Sequence, residues 1–363
     1  SIAIPNSVTR IESYTFSGCT SLQSIEIPNS VTSIEYDAFS GCTSLQSIEI
    51  PNSVTSIGYQ AFSNCTSLQS IAIPNSVTRI ESYTFSGCTS LQSIEIPNSV
   101  TSIEYDAFSG CTSLQSIAIP NSVTSIEYEA FENCTSLKSI NLSENLETIR
   151  FGTFADCQSL SSLAIPGSVS EIEQFENGVY TFKNCNNLKY LVLEYNTNRL
   201  DFGVSYYGKP AIKDWTNTLE KIYIDRDLSD DITYLNSLKE LIIGENSTKI
   251  CVKIDNADKL TKIFSYAAIP PTISYATTHQ YMNLEVVVPI GSLDTYKIAN
   301  VWRNFWNIRE MTEEEAGIED VATDNIKKEV ARYNLQGQQV TDDYKGLVFI
   351  KYSDGSSRKV INK

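Results

Sequence analysis

"IPNSVTSIEYDAFSGCTSLQSIEIPNSV", residues 27–54, matches itself when slid along the chain by 23 positions. Pro5, Pro28, Pro51, Pro74, Pro97 and Pro120 are each 23 apart, and Ser143 and Pro166 continue the series. Cysteine keeps the same period at 19, 42, 65, 88, 111, 134 and 157, and Cys185 arrives five residues late behind the insertion "QFENG" at Gln174 to Gly178. A longer period lies over the first. Residues 1–23 are identical to 70–92 and 24–46 to 93–115, as tandem duplication of a 69-residue block leaves them. A fixed period of this size means stacked supersecondary units, none of which buries its apolar face alone.

Within one unit the apolar residues are Leu22, Ile25, Ile27, Val31, Ile34, Phe39 and Cys42, and Leu45 opens the next. The L-x-x-I-x-I spacing is that of a leucine-rich-repeat strand, and Pro28 ends it because proline has no N–H to donate to a neighbouring rung. Asn29 and Ser30 suit a turn. "VTSIEY" predicts a second short strand on the back of the coil, and "DAFSGC" a single helical or 3₁₀ turn, with Phe39, Cys42 and Leu45 three apart. The expected fold is therefore an α/β leucine-rich-repeat solenoid, right-handed, with a parallel concave sheet, short back strands and helical turns.

Regular repeats run through 1–165 and irregular ones through 166–288, where the strand opening recurs at Leu160, Leu188, Leu219, Leu238, Leu260 and Leu284 with spacings of 28, 31, 19, 22 and 24. About 13 rungs at ~4.8 Å each give a spine of roughly 60 Å. Residues 289–311 read as a C-terminal cap, with Ser292 capping a helix and Leu293, Tyr296, Trp302, Phe305 and Trp306 covering the last rung. The acidic run Glu313 to Glu315 reads as a linker to a small all-β domain at 317–363, with a hairpin turn at Asp354 and Gly355.

The repeat I-P-x-S-V-T-x-I-x-x-x-A-F-x-x-C-x-S-L over about 1–311 resembles the BspA-like bacterial surface leucine-rich repeats, and "VVVPIGSLDTYKIANVWRNFWNI" resembles the closing unit of that family. Residues 331–363 are similar to the C-terminal sorting domains of Bacteroidetes-type bacteria. The resemblance implies an extracellular or cell-surface protein, and adhesion to host matrix proteins such as fibronectin and fibrinogen. It carries no residue-level binding motif.

Composition narrows the partners. The 363 residues carry a formal charge of −16, which argues against nucleic acid and anionic membrane. No run approaches the ~18 apolar residues of a membrane helix. The chain opens in mid-phrase at Ser1, so a signal and a first cap are expected to have preceded it.

Nothing points to catalysis or to a cofactor. His279 is the only histidine, which leaves a His-dependent triad or a two-His metal site without its ligands and gives His279 a loop or packing role. The cysteine column reads first as buried free thiols, with disulfide pairing and a metal as alternatives; Cys251 stands apart. The carboxylate pairs Glu35/Asp37 and Glu104/Asp106 recur in identical surroundings and read as a solvated acidic face, not a glycosidase pair. "DRDLSDD", with Asp225, Asp227, Asp230 and Asp231, offers calcium ligands at alternate positions, but it lacks the glycine and closing glutamate of an EF-hand loop. Its competing role is to begin a helix over "ITYLNSLKEL".

Binding is expected on the concave face, where Gln23, Gln46, Gln69, Gln92 and Gln115 form one column. Glu26, Glu49 and Glu95 alternate with Ala3, Ala72 and Ala118 in another. Such a face suits many weak contacts along a large surface. Tyr36, Tyr59, Tyr105 and Tyr128 form a second line, with Tyr14 and Tyr83 offset by one. Partial core packing is the first reading of these rings and sugar stacking the second. Tyr206 and Tyr207, in the irregular stretch "EYNTNRLDFGVSYYGKPAIKDW", and the insertion at 174–178 break the repeat and complete the candidate sites. The expected function is a monomeric, non-enzymatic adhesion protein that binds host matrix or cell-surface proteins. A glycan-binding or nutrient-capture module is the alternative, and a passive spacer the third reading.

Overall fold

The computed structural model describes residues 2–173, 181–202, 216–229, 232, 234–250, 252–273 and 276–316, together with strands within 329–362. The insertion at 174–178, Tyr206, Tyr207, Asp230, Asp231 and Cys251 lie outside the described residues.

The period seen in the sequence is the hydrogen-bond register of the structure. Ile2 lies opposite Ile25, Ile34 opposite Ile57 and Ser116 opposite Ser139, always in parallel strands and always one repeat apart. The concave row begins with two- and three-residue strands such as Ile25–Glu26, Ser47–Ile48 and Ser116–Ala118. It widens into a seven-stranded parallel sheet formed in chain order by Ser162–Ile165, Tyr190–Leu200, Lys221–Leu228, Glu240–Ile243, Lys262–Ser265, Glu285–Val288 and Asn307–Glu310. In this part Ser162 pairs with Tyr190, Tyr190 with Lys221 and Lys221 with Glu240, so the strand openings stay in step despite the uneven leucine spacings, and the register between Tyr190–Leu200 and Lys221–Leu228 slips only past Leu193. A back row runs beside it through Arg10–Ile11, Ser33–Ile34, Ser56–Ile57, Arg79–Ile80, Ser102–Ile103 and Ser125–Ile126.

The core is a set of columns. Phe39, Cys42 and Leu45 are fully buried, as are their counterparts one and more repeats on, and Ile25, Ile27, Val31 and Ile34 close around them. Phe16, Phe39, Phe62, Phe85, Phe108, Phe131, Phe154 and Phe182 stack at centroid spacings of 5.1 to 6.1 Å with planes within 15° of parallel. Each buried thiol donates to the phenylalanine carbonyl of the rung before: Cys42 to Phe16 at 3.1 Å, Cys88 to Phe62 and Cys111 to Phe85 at 3.2 Å. All eight described cysteines are free. Four of the serines after Pro-Asn repeat the device, Ser30 donating to the Val8 carbonyl and Ser53 to that of Val31 at 2.6 Å, with Ser76 and Ser99 donating to the equivalent carbonyls.

The third side of the coil differs from the expected helical turn. Along 37–42 alternate N–H groups point in alternate directions. Asp37, Phe39 and Gly41 donate to Tyr59, Ala61 and Ser63 of the next rung at 3.0, 2.8 and 2.7 Å, whereas Ala38, Ser40 and Cys42 donate within their own rung. The alternation requires two left-handed residues four apart, Asp37 at φ 53° and Gly41 at φ 71°. Glycine, asparagine and aspartate enter that region most easily. They fill the second position throughout, as Gly18, Gly41, Asn64, Gly87, Gly110, Asn133, Asp156 and Asn184. A helix would spend these N–H groups inside one rung, whereas this arc bonds rung to rung.

The cap departs from expectation in three places. Its final segment, Asn307–Glu310, pairs with Glu285–Val288 and so extends the concave sheet by one strand. Tyr296, Trp302 and Phe305 are buried as expected, with the Trp302 indole donating to the Pro271 carbonyl at 2.7 Å, but Trp306 is 74% exposed. Ser292 sits at the N-cap of the helix Leu293–Ile298 without a side-chain capping bond. The expected linker starts a helical turn, Glu313–Ala316, whose Glu315 carboxylate grips Arg309 at 2.7 and 2.8 Å. Beyond it, Gln339–Val340, Glu329–Tyr333, Gly346–Tyr352 and Ser357–Asn362 form a four-stranded antiparallel sheet in that order.

Candidate binding surface

In a strand whose residues alternate in and out, Leu22, Ile25 and Ile27 turn inward, and the positions between them face solvent. Gln23, Gln46, Gln69, Gln92 and Gln115 are exposed, while their backbones form a ladder in which each N–H donates to the glutamine carbonyl one rung back at 3.1 to 3.3 Å. Glu26, Glu49 and Glu95 are exposed as well, and Glu26 lies in register with Glu49. Among the described residues, none of these eight side chains has a hydrogen bond or ion pair. They form an open strip of amides and carboxylates, fixed in spacing by the main chain below.

The second half of the same wall is closed on itself. Lys239 meets Glu220 at 2.6 Å, Lys221 meets Glu240 at 2.8 Å and Lys262 meets Glu285 at 3.4 Å. Arg309 bridges Glu285 and Glu315, both at 2.7 Å. The column that holds Glu26 and Glu49 further up holds Val192, Ile242 and Val287 here, all buried, with Lys262 Nζ 4.2 Å from the Phe264 ring centre. The sequence reading missed this alternation of sign, although "LEKIYI", "LKELII" and "LTKIFS" place lysine and glutamate at strand positions that neighbour across rungs.

The two described aspartates of "DRDLSDD" take a structural role. Asp225 accepts from the Asn246 main-chain N–H at 3.0 Å and from its side-chain amide. Asp227 accepts from Thr248 N, Thr248 Oγ1 and Lys249 N, all at 2.7 Å. Burial pushes the Asp227 carboxyl up, but these donors outweigh it and hold it below the ordinary value. Donors of the next rung therefore engage the carboxylate oxygens of Asp225 and Asp227. Helix capping is not realised either: Ser229 Oγ donates to the Leu200 carbonyl, and Glu240–Ile243 is a strand. His279 is exposed on the helix Thr278–Asn283.

The tyrosines lie along the corner between the back strand and the arc. Tyr14, Tyr36 and Tyr59 are 57, 38 and 38% exposed, and Tyr83, Tyr105 and Tyr128 half-buried. Tyr36 and Tyr59 stack face to face, 5.3 Å apart with planes 10° from parallel. Tyr83, on the left-handed residue, tilts 58° to both Tyr59 and Tyr105. At its lower end the line meets carboxylates: Asp106, Glu129 and Glu132 bring one oxygen each within 4.8 Å of the others, and Tyr105 donates to Glu129 at 2.8 Å. Burial, then repulsion from Glu129 and Asp106, raises the Glu132 carboxyl. Burial foremost raises that of Asp106.

The BspA type leucine rich repeat region matches residues 1–115, 55–189 and 108–231, which together run over more than half of the chain. A leucine-rich repeat protein from Bacteroides ovatus ATCC 8483 is similar in structure, with 28% identity over 74% of this chain and 71% of that one and a TM-score of 0.53. The T. pallidum leucine rich repeat protein is 31% identical over 46% of this chain and 78% of its own, with a TM-score of 0.42. No curated protein matches in sequence. With the repeat, its register and its core columns in agreement, the chain belongs to the BspA type leucine rich repeat family.

Proposed function

We propose that the protein is a non-enzymatic adhesion protein, secreted or held at the cell surface, that lays an extended segment of a host matrix or cell-surface protein along the open strip from Gln23 to Gln115. The observation that carries this is the contrast between the two halves of one wall. Charges in the second half are paired rung to rung, whereas eight polar side chains in the first half are exposed and unengaged. Main-chain spacing of about 4.8 Å between rungs lets weak contacts add along the partner without ordering the receptor. Similarity of residues 331–363 to bacterial sorting domains supports a surface location, and no described helix is long and apolar enough to cross a membrane.

A glycan-binding reading rests on the same amide columns, because Tyr36 and Tyr59 turn their ring faces to each other. Immobilised fibronectin, fibrinogen and collagen, run beside a glycan array, separate the two. Gln46→Lys, Gln69→Lys and Gln92→Lys together should abolish capture, while Thr55→Lys, Thr78→Lys and Thr101→Lys on the exposed back should leave it intact. Equal loss from both triples would refute the assignment of the face.

A further inference from the structure

We propose that the tyrosine ridge from Tyr83 to Tyr128 is a second docking surface, separate from the concave strip, for an extended polypeptide segment bearing arginines. The chain itself supplies the pattern. At the lower end of the ridge Arg150 lies over the Tyr128 ring, 5.5 Å from its centre, and reaches Glu127 at 3.8 Å while also pairing with Glu173. A guanidinium packed on a tyrosine and held by carboxylates is therefore the occupant that this ridge already accepts once.

One rung up, the same chemistry is present without a guanidinium on its rings among the described residues, the charge of Lys183 reaching Glu132 only at a distance. Tyr83 stands 58° off Tyr105, so the two rings do not cover each other's faces, and Asp106, Glu129 and Glu132 converge at the foot. The nearest arginine on the preceding rung, Arg79, is committed to Glu104 at 2.7 Å and to Glu81 at 3.5 Å.

The duplication gives an internal comparison. Asp37 and Asp106 belong to identical rungs, but the rung after Asp37 carries Gly58, Gln60 and Ser63 where the rung after Asp106 carries Glu127, Glu129 and Glu132. The carboxylates thus stand on one copy only, beside tyrosines present on both. The upper part, where Tyr36 and Tyr59 stack face to face, lacks the added charge.

Fluorescence anisotropy with the full chain and a labelled Arg-Ser repeat peptide tests this, with Lys-Ser and Glu-Ser peptides of equal length beside it. The arginine peptide should bind at least about tenfold more tightly than the lysine peptide, weaken with salt, and lose about tenfold or more in affinity with Glu129→Gln/Glu132→Gln. Tyr105→Leu should cost a similar factor, whereas Tyr36→Leu and the concave Gln→Lys triple should leave the affinity unchanged. Circular dichroism and melting confirm folding of each variant, and Glu129→Gln/Glu132→Gln supplies the readout if Tyr105→Leu fails to fold. Equal binding of both cationic peptides, indifference to the glutamate changes, or displacement of the peptide by micromolar calcium would each overturn the proposal.

Discussion

Phe108→Ala tests the column architecture most directly. The Phe108 ring is fully buried between Phe85 and Phe131, 5.4 Å from each, with planes 14° and 3° from parallel. Removing it should cost about 3–5 kcal/mol, of which two ring contacts at about 0.5–1.5 kcal/mol each form part. In a one-dimensional array the loss falls on both interfaces of one rung, so the coils before and after it should begin to unfold separately. Phe16 is the control: it is only half-buried and has a stacked partner on one side, Phe39, so Phe16→Ala should cost about half as much and leave a single transition. Urea titration followed by circular dichroism gives the midpoints, and hydrogen exchange read peptide by peptide shows which rungs open. Equal losses at the two positions, or a comparable loss from the exposed Glu49→Gln, would show that stability does not reside in the stacked columns.

Thiol chemistry should separate the cysteines by depth. Burial pushes Cys88 and Cys134 up to about 12, whereas Cys19 is half-buried at the first rung, so an alkylating reagent on the native protein should modify Cys19 first. Mass mapping that finds Cys111 modified at a similar rate would contradict the sealed column. Acid should act oppositely on two carboxylates. Glu132 is raised in the fold, so it favours folding below its ordinary value, and that contribution is lost as pH rises through the raised one; Glu132→Gln should therefore stabilise the protein at neutral pH and flatten this slope. Glu315 is held down to about 2, chiefly by the Arg309 hydrogen bonds, so its contribution is present above 4.5 and lost as pH falls toward 2. Arg309→Gln should flatten that acid limb in melting curves taken from pH 2 to 6, and an unchanged limb would refute the pairing.

The sequence resolved the solenoid because one physical requirement, rung over rung, repeats in identical words. Pro28 marks the strand end, Ile25 and Ile27 the inward positions, and Phe39, Cys42 and Leu45 the sealed columns, each as expected. The arc was misread because Phe39, Cys42 and Leu45 have the spacing of a helical turn. The deciding signal lay in the residue before each of the eight cysteines of the column, always glycine, asparagine or aspartate, which marks a left-handed residue rather than a helix interior. The exposed glutamine and glutamate columns were legible from alternation alone. What alternation could not reveal was which half of the wall is already satisfied, since Lys262, Glu285, Arg309 and Glu315 come from four segments that only the fold brings together. The gathering of Asp106, Glu129 and Glu132 was hidden for the same reason, lying across two rungs at a corner.

The stacking of rung on rung has a mechanical consequence under tension. Each 23-residue coil occupies one step of the stack, about 4.8 Å. Drawn out taut, it spans roughly 75 Å at about 3.3 Å per residue. Under tension the end coils should peel away one after another, each lengthening the tether many times over while its neighbours stay intact. A single-molecule pulling trace should show this as a sawtooth, with equal teeth from the 23-residue coils and uneven ones from the irregular rungs, the mark of a shock absorber with its give divided into portions.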